Sequence, residues 1–366
     1  MADTVPRLSA RTIIVMATYN AGPYLQGQLR SIQQQTVTDW TLLVRDDGSS
    51  DETLATLAAA RQDDARIEII EDRLGRLGPI GNFGRLATLA LERGAERMFF
   101  ADQDDLWLPD KMARLLEALT TAERRCGRTC PIIAHSDLQL IDGDGAPITP
   151  SFMRFQRIHH EPVDPLRTLL VQNFVTGCAS VVNRALLTLA LPMPDTVPMH
   201  DWWFALCAAA AGTIAWVPEA TVAYRRHTTN TVAVRGFWRT LNPLKTRWRD
   251  VWRMGRRTHR IAVQQAGALL SRLRERQSGH PGACERLRGF LDAHRQWRPV
   301  RVWRMHALGI RCQTLPRRLA LYVRVYCDTG PVPGSASASL ARVPNAIRMA
   351  TKAATAAASV GENQPR

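Results

Sequence analysis

"FFADQDDLW", residues 99–107, decides how this chain is read. Phe99, Phe100 and Ala101 run directly into Asp102, Asp104 and Asp105, with Gln103 interposed. An apolar strand that ends in three carboxylates is electrostatically costly. Two unit charges 4 Å apart repel by about 1 kcal/mol even in water, and by more where water is excluded. Capping the next helix does not justify the cost. A cap needs one Asp or Ser, and Pro109 and Asp110 already start the helix expected over 110–125. A divalent cation that neutralises the run does justify it. Mg²⁺ or Mn²⁺, which favour hard oxygen ligands, suit such a set.

Working outward, the pattern alternates. Strands are predicted at 12–18, 40–44, 67–70, 97–101 and 132–136, with helices at 24–35, 52–62, 80–93 and 110–125. Leu25, Leu29 and Ile32 give the first helix its apolar face, and Asp51 is a good N-cap for the second. Strands alternating with helices of this length imply an α/β fold on a largely parallel sheet. In such sheets the ligand crevice lies beyond the carboxyl ends of the strands. Three polar clusters fall there: Thr18-Tyr19-Asn20, Asp46-Asp47-Gly48-Ser49 and Asp102-Gln103-Asp104-Asp105. The second, taken alone, is equally an ordinary turn.

The bulk numbers bound the rest. At 366 residues, 45% hydrophobic and 22% charged, the chain can bury a sizeable core in two domains, or in one with an appendage. Its seven cysteines include one four-residue spacing, Cys126 to Cys130, without a second pair. Free thiols in a reducing compartment are expected rather than a zinc site. The apolar run 13–17 is too short for a signal peptide, and no stretch approaches the ~20 apolar residues of a membrane span. A cytoplasmic protein is expected. Charge divides the chain: residues 1–234 hold 22 Lys+Arg and 27 Asp+Glu, a net −5, whereas residues 235–366 hold 26 and 6, a net +20. A boundary near Arg235 follows, with a basic Arg/Trp-rich helical region over 235–329 and an Ala-rich tail over 330–366.

Several segments together resemble a known family. "ATYNAGPYLQGQLRSIQQQT", "LLVRDDGSSDET", "FFADQDDLWLPDKM", "FVTGCASVVNR" and "MHDWWFALCAAAAGTIAWVPEATVAYRRHTTNT" occur in this order. Together they are similar to the inverting nucleotide-sugar glycosyltransferases of family 2, which have the GT-A fold, and most to rhamnosyltransferase-type members. The resemblance implies that Thr18, Tyr19, Asn20, Asp46, Asp47 and Asp102 contact the nucleotide of a dTDP- or UDP-sugar. It implies that Asp102 and Asp104 form the metal-binding DxD pair, with Asp105 an open alternative to Asp104. His227 would approach the metal or diphosphate from the other side. Asp201 would be the catalytic base, and Gly177, Cys178 and Trp202 would lie by the acceptor, a glycan or lipid-linked hydroxyl. The QxxRW motif of processive members is absent, which favours transfer of single sugars.

The chemistry fits these residue types. A departing diphosphate gains negative charge, which a cation stabilises. A hydroxyl nucleophile needs a base, and in-line attack through an oxocarbenium-like state inverts the anomeric centre. The apolar neighbours Met199, Trp202, Trp203 and Phe204 should raise the pKa of Asp201. Asp201 also stands where the N-cap of a helix beginning "HDWW" would fall. Arg225 or Arg226 is available to phosphate oxygens, and His159-His160 reads as a solvated loop pair. A sugar nucleotidyltransferase would want a glycine-rich, basic loop after the first strand, and 17–22 lacks it. A scaffold with a degenerate transferase domain would not be expected to keep the carboxylates at 102, 104 and 201. In the basic region Trp238, Trp248 and Trp252, then Trp297 and Trp303, alternate with arginines. Such helices suit peripheral association with an anionic membrane at the inner face of the plasma membrane, the alternative being tryptophans packed against the catalytic domain with the arginines solvated. No nucleic-acid module is recognisable.

Overall fold

The computed structural model describes residues 11–227 and 248–327. The expected boundary near Arg235, Trp238, the side chain of Trp248 and the tail from 330 lie outside the described residues.

A nine-stranded mixed sheet forms the centre. Its strands are β1 (Thr12–Thr18), β2 (Thr41–Asp46), β3 (Ile67–Ile69), β4 (Arg97–Ala101), β5 (Leu106–Trp107), β6 (Ile132–Ile141), β7 (Pro147–Thr149), β8 (Ser180–Asn183) and β9 (Thr213–Arg225). The spatial order is β3-β2-β1-β4-β8-β6-β9-β5, with β7 paired to β6. β1 to β4 are mutually parallel, as the alternating pattern implies. β8, inside "TGCASVVNR", is inserted antiparallel between β4 and β6, and β9 runs parallel to β6. This is the α/β class read from the sequence, with three reversed strands, β5, β7 and β8, that the pattern did not signal.

Helices cover both faces. α1 (Leu25–Gln33), α2 (Thr53–Asp63) and α4 (Lys111–Cys126) lie on one side. α3 (Gly78–Glu92), α7 (Arg184–Ala190) and α8 (His200–Ala211) lie on the other. The short α5 (Phe152–Gln156) and α6 (Pro165–Leu169) fall between β7 and β8. The strand period of two divides the core. Ile13, Val15, Met98 and Phe100 enter one cluster, whereas Ile14, Met16, Phe99 and Ala101 enter the other. Because β1 and β4 are buried on both faces, they read as continuous apolar runs.

Four further helices follow: α9 (Trp248–Glu275), α10 (Pro281–His294), α11 (Arg298–Ala307) and α12 (Leu315–Cys327). They pack on the α8 side. Ala262, Ala266, Leu269 and Leu273 of α9 and Leu287 and Phe290 of α10 join the same apolar cluster as Val15 and Phe204. Arg272 donates to the carbonyls of Leu189 and Leu191 at 2.9 Å and of Pro192 at 2.7 Å. Arg286 pairs with Asp164 at 2.6 Å. Among the described residues no helix is long and apolar enough to cross a membrane.

At the turn from α8 into β9, Thr213 N donates to Pro131 O at 3.0 Å, which brings Gly212 against that same carbonyl. A Cβ at position 212 would lie 1.8 Å from Pro131 O. Backbone, unlike a flexible side-chain tip, cannot step aside cheaply. Gly212→Ala should therefore cost about 3 kcal/mol of stability, read as a lower urea midpoint. An unchanged midpoint would contradict this packing.

Candidate active site

The first wall of the crevice is built where β1 and β2 end. Asp46 accepts from Thr18 Oγ1 at 2.9 Å, Ser49 Oγ at 2.6 Å, and the backbone N–H groups of Gly48 and Ser49 at 3.0 and 2.7 Å. Its carboxylate folds the turn that carries it. Asn20 adopts φ 45°, a left-handed conformation that Asn tolerates, and exchanges bonds with the same turn: its N–H donates to Ser49 Oγ, and its side-chain carbonyl accepts from Ser50 N. Asp51 accepts from Thr53 N at 3.1 Å and from Gly22 N at 2.9 Å, so it serves both the start of α2 and the first loop.

Asp47 is buried. It accepts from Arg45 Nη1 at 2.9 Å and from the backbone N–H groups of Leu77 and Gly78 at 2.7 Å each. Arg45 also holds Asp72 at 3.0 Å and the carbonyl of Gly75 at 2.7 Å. Burial opposes the Arg45 charge, but its hydrogen bonds to Asp72 and Asp47 prevail and raise its pKa. The ion network fixes the loop 71–77, which carries Arg76. The Arg76 guanidinium lies 3.9 Å from the centre of the exposed Tyr19 ring. Neither Arg45 nor Arg76 was marked by the motif reading. A buried arginine at the end of a strand was the available signal.

The acidic run is held by side chains remote in sequence. Gln103 accepts from Tyr19 N at 2.8 Å and donates to Tyr19 O at 3.1 Å, which joins the β4 loop to the β1 loop. Gln28 Nε2 donates to Asp102 O at 2.8 Å. The three carboxylates then separate in character. Asp104 Oδ2 meets His227 Nε2 at 2.7 Å, and the His227 ring packs on Tyr24 with centroids 4.8 Å apart. Asp105 is fully buried and accepts from Arg225 N at 3.0 Å. Burial, together with the charges of Asp102 and Asp104, pushes its pKa well above the usual range. Burial first, then the charges of Asp104 and Asp201, push Asp102 up to about 7. Lys111, also fully buried, donates to Cys178 O and lies over the Trp107 ring at 3.3 Å. Burial lowers its pKa to about 7, against the pull of nearby Asp105 and Asp102.

Asp201 stands in the first turn of α8. Met199 occupies the N-cap, so the expectation that Asp201 caps the helix is corrected: Asp201 lies two residues further on, inside the first turn. Its Oδ1 accepts from Trp202 N at 2.6 Å and from Asn173 Nδ2 at 3.2 Å, and its Oδ2 from Gly177 N at 3.1 Å. Burial raises its pKa to about 6, partly offset by the Gly177 and Trp202 N–H groups. Gly177 is tight against this helix start: a Cβ there would lie 2.5 Å from His200 Nε2 and 3.3 Å from Asp201 Cβ.

Other sequence-marked residues face inward. Trp202 is buried and donates its indole N–H to Leu169 O at 2.6 Å, because this face of α8 packs on α6. Cys178 is buried beside Asp102 and Asp105, and its Sγ and their carboxylate oxygens lie within 4.8 Å of one another. Arg225 is engaged with the carbonyls of Asp104 and Gly143 at 3.1 and 2.8 Å. The pair His159-His160, read as a solvated loop, is split. His159 is exposed, whereas His160 stacks on Trp216 at 5.6 Å and meets His135 Nε2 at 3.2 Å.

Residues 13–131, which carry the first two walls of this crevice, match the family described as "Glycosyl transferase family 2". They form a family 2 glycosyltransferase domain. Curated relatives agree with this. One is a putative teichuronic acid biosynthesis glycosyltransferase, TuaG, of Bacillus subtilis (strain 168), 26% identical over 191 residues, which cover 51% of this chain and 68% of that protein. Another is the dTDP-rhamnosyl transferase RfbG of Shigella flexneri, 24% identical over 242 residues, 64% of this chain and 80% of the relative. A third, the UDP-Glc:alpha-D-GlcNAc-diphosphoundecaprenol beta-1,3-glucosyltransferase WfgD of Escherichia coli, is 30% identical over 175 residues, 48% of this chain and 60% of the relative. Among solved structures, S. aureus TarS 1-349 in complex with UDP-GlcNAc aligns with a TM-score of 0.47 at 15% identity, covering 86% of this chain and 89% of that one.

In the family 2 domain, the Arg45 network is what keeps the Tyr19–Arg76 wall in place. Arg45→Met leaves the buried Asp47 carboxylate without its cation. A loss of about 3 kcal/mol in urea unfolding is expected. A loss below about 0.5 kcal/mol, the range of ordinary surface changes, would contradict the assignment.

Proposed function

We propose that the chain transfers one sugar, rhamnose as the leading candidate, from a dTDP- or UDP-sugar to a hydroxyl of a glycan or lipid-linked acceptor, with inversion, in cell-surface polysaccharide synthesis. The observation that carries this reading is the convergence of Asp201 on the acidic run: Gly177, which donates to Asp201 at 3.1 Å, is followed by Cys178, whose Sγ lies within 4.8 Å of the Asp102 and Asp105 carboxylates. The names of RfbG, TuaG and WfgD support the substrate class and the polysaccharide context.

Tyr19, with Arg76 over its ring, offers a face for the base of the nucleotide, and the Thr18–Asp46 turn lies beside it. Asp102, Asp104 and His227 would hold a divalent ion, with Asp105 and Cys178 the side chains grouped closest to Asp102. Two of the three are hard carboxylates, and the third is an imidazole 2.7 Å from Asp104. Bound there, Mg²⁺ or Mn²⁺ would stabilise charge on the departing diphosphate. Asp105, buried and tied to the Arg225 N–H, positions the run.

Asp201 is the proposed base. Asn173 and Gly177 orient its carboxylate. The raised pKa, about 6, makes it a stronger proton acceptor than an exposed Asp while leaving it ionised at neutral pH. The sign follows: the base works only when deprotonated, so the rate should fall about tenfold per unit as pH drops below about 6. Asp201→Asn should retain nucleotide binding by calorimetry and lose transfer by roughly 10²–10⁴-fold. A variant that transfers at the parent rate would remove Asp201 from this role.

A further inference from the structure

α12 is apolar on two sides. Leu321 and Val325 are buried in the core cluster. Leu315, Leu319, Val323 and Tyr326 follow at helical spacing in a second stripe, on the side away from that pair. These four are between 46% and 63% exposed. Trp303 in α11 and Trp297 at its N-cap are 66% and 69% exposed. The two helices run antiparallel, and three contacts fix the pairing. The Arg298 guanidinium lies 6.0 Å from the Tyr326 ring, Arg301 Nη1 donates to Val325 O at 3.4 Å, and the Tyr322 hydroxyl meets His306 Nδ1 at 3.4 Å. The pairing sets Trp303 level with Val323 along the hairpin.

Among the described residues packing needs only one face of α12, so their folding does not explain the outer stripe. Its electrostatic setting identifies what it fits. Residues 298–327 contain seven arginines and no Asp or Glu. A nucleic acid would use the arginines and tryptophans but not an aliphatic Leu-Leu-Val row. A bilayer surface uses both: aliphatic and aromatic side chains enter the headgroup boundary, while arginines snorkel to acidic lipid phosphates.

We infer that the α11–α12 hairpin docks the protein on an anionic lipid bilayer through Trp297, Trp303, Leu315, Leu319, Val323 and Tyr326. The hairpin is also linked to the site. Gln313, just before α12, accepts from His159 N at 3.0 Å and donates to His159 O at 2.6 Å. Its own N–H donates to Gln172 Oε1 at 3.1 Å. Gln172 is followed by Asn173, which holds Asp201. Docking would thus bring the transfer site to a lipid-linked acceptor, a consequence that rests on the proposed reaction, whereas docking itself does not.

The test is flotation of the full chain with phosphatidylcholine vesicles, with and without phosphatidylglycerol. Binding that needs phosphatidylglycerol, weakens with salt, and falls about tenfold or more in Leu319→Ser/Val323→Ser and in Trp303→Ala is expected. Val163→Ser, at an 86% exposed apolar position outside the hairpin, should bind as the parent does. Thermal melting verifies that each variant folds. Absence of flotation, flotation indifferent to the hairpin variants, or a solution dimer that those variants dissolve would each overturn the inference. Nucleoside diphosphate binding, measured separately by calorimetry, should equal the parent's in all of them. Its absence in the parent would count against the transferase reading and leave the lipid result standing.

Discussion

Everything at the mouth of this sheet depends on how three carboxylates are held at the end of β4. The fold does not spread them into solvent. It buries Asp105 on the N–H of Arg225, brings Asp104 to His227, and leaves Asp102 as the group on which the local charge converges. Two glutamines, Gln28 and Gln103, and the buried Lys111 frame the run from behind. Each unit charge added to a desolvated cluster raises the cost of the next. A cluster arranged in this way suits the cation proposed above.

The same economy governs the rest of the crevice. Asp46 and Asp47, equal in sequence, are used differently: one folds its own turn, and the other anchors a distant loop through Arg45. Asp201 receives three hydrogen bonds yet keeps a raised pKa, because burial outweighs them. The chain spends its buried charges in pairs or as protonated groups, and the groups left over converge on one cleft.

Much of this was legible in the residues. The span of β1 and of β4, the parallel order of the first four strands, and the grouping of the three polar clusters at one sheet end follow from apolar period and turn chemistry. What was not legible depends on contacts between residues far apart in the chain. Gln103 reads as a spacer in "DQDD" until it clamps Tyr19, 84 positions away. Ser180–Asn183 carries no mark of being antiparallel, since four apolar-rich residues pair either way. Asp104 and Asp105 differ in burial and in partner, His227 for the first and Arg225 N for the second, which a local pattern of adjacent aspartates does not encode. Trp202 reads as an acceptor-side aromatic and turns into the core, because α8 is apolar nearly all round.

If the acidic run is built for a cation that meets a nucleoside diphosphate, Mn²⁺ should show it. Titration of the full chain with Mn²⁺ in the presence of UDP or dTDP, followed by the loss of the free-ion paramagnetic resonance signal, should reveal one tightly held ion. Affinity should drop by at least about tenfold when Asp104 is replaced by Asn. No bound Mn²⁺, or an equal affinity in Asp104→Asn, would contradict it.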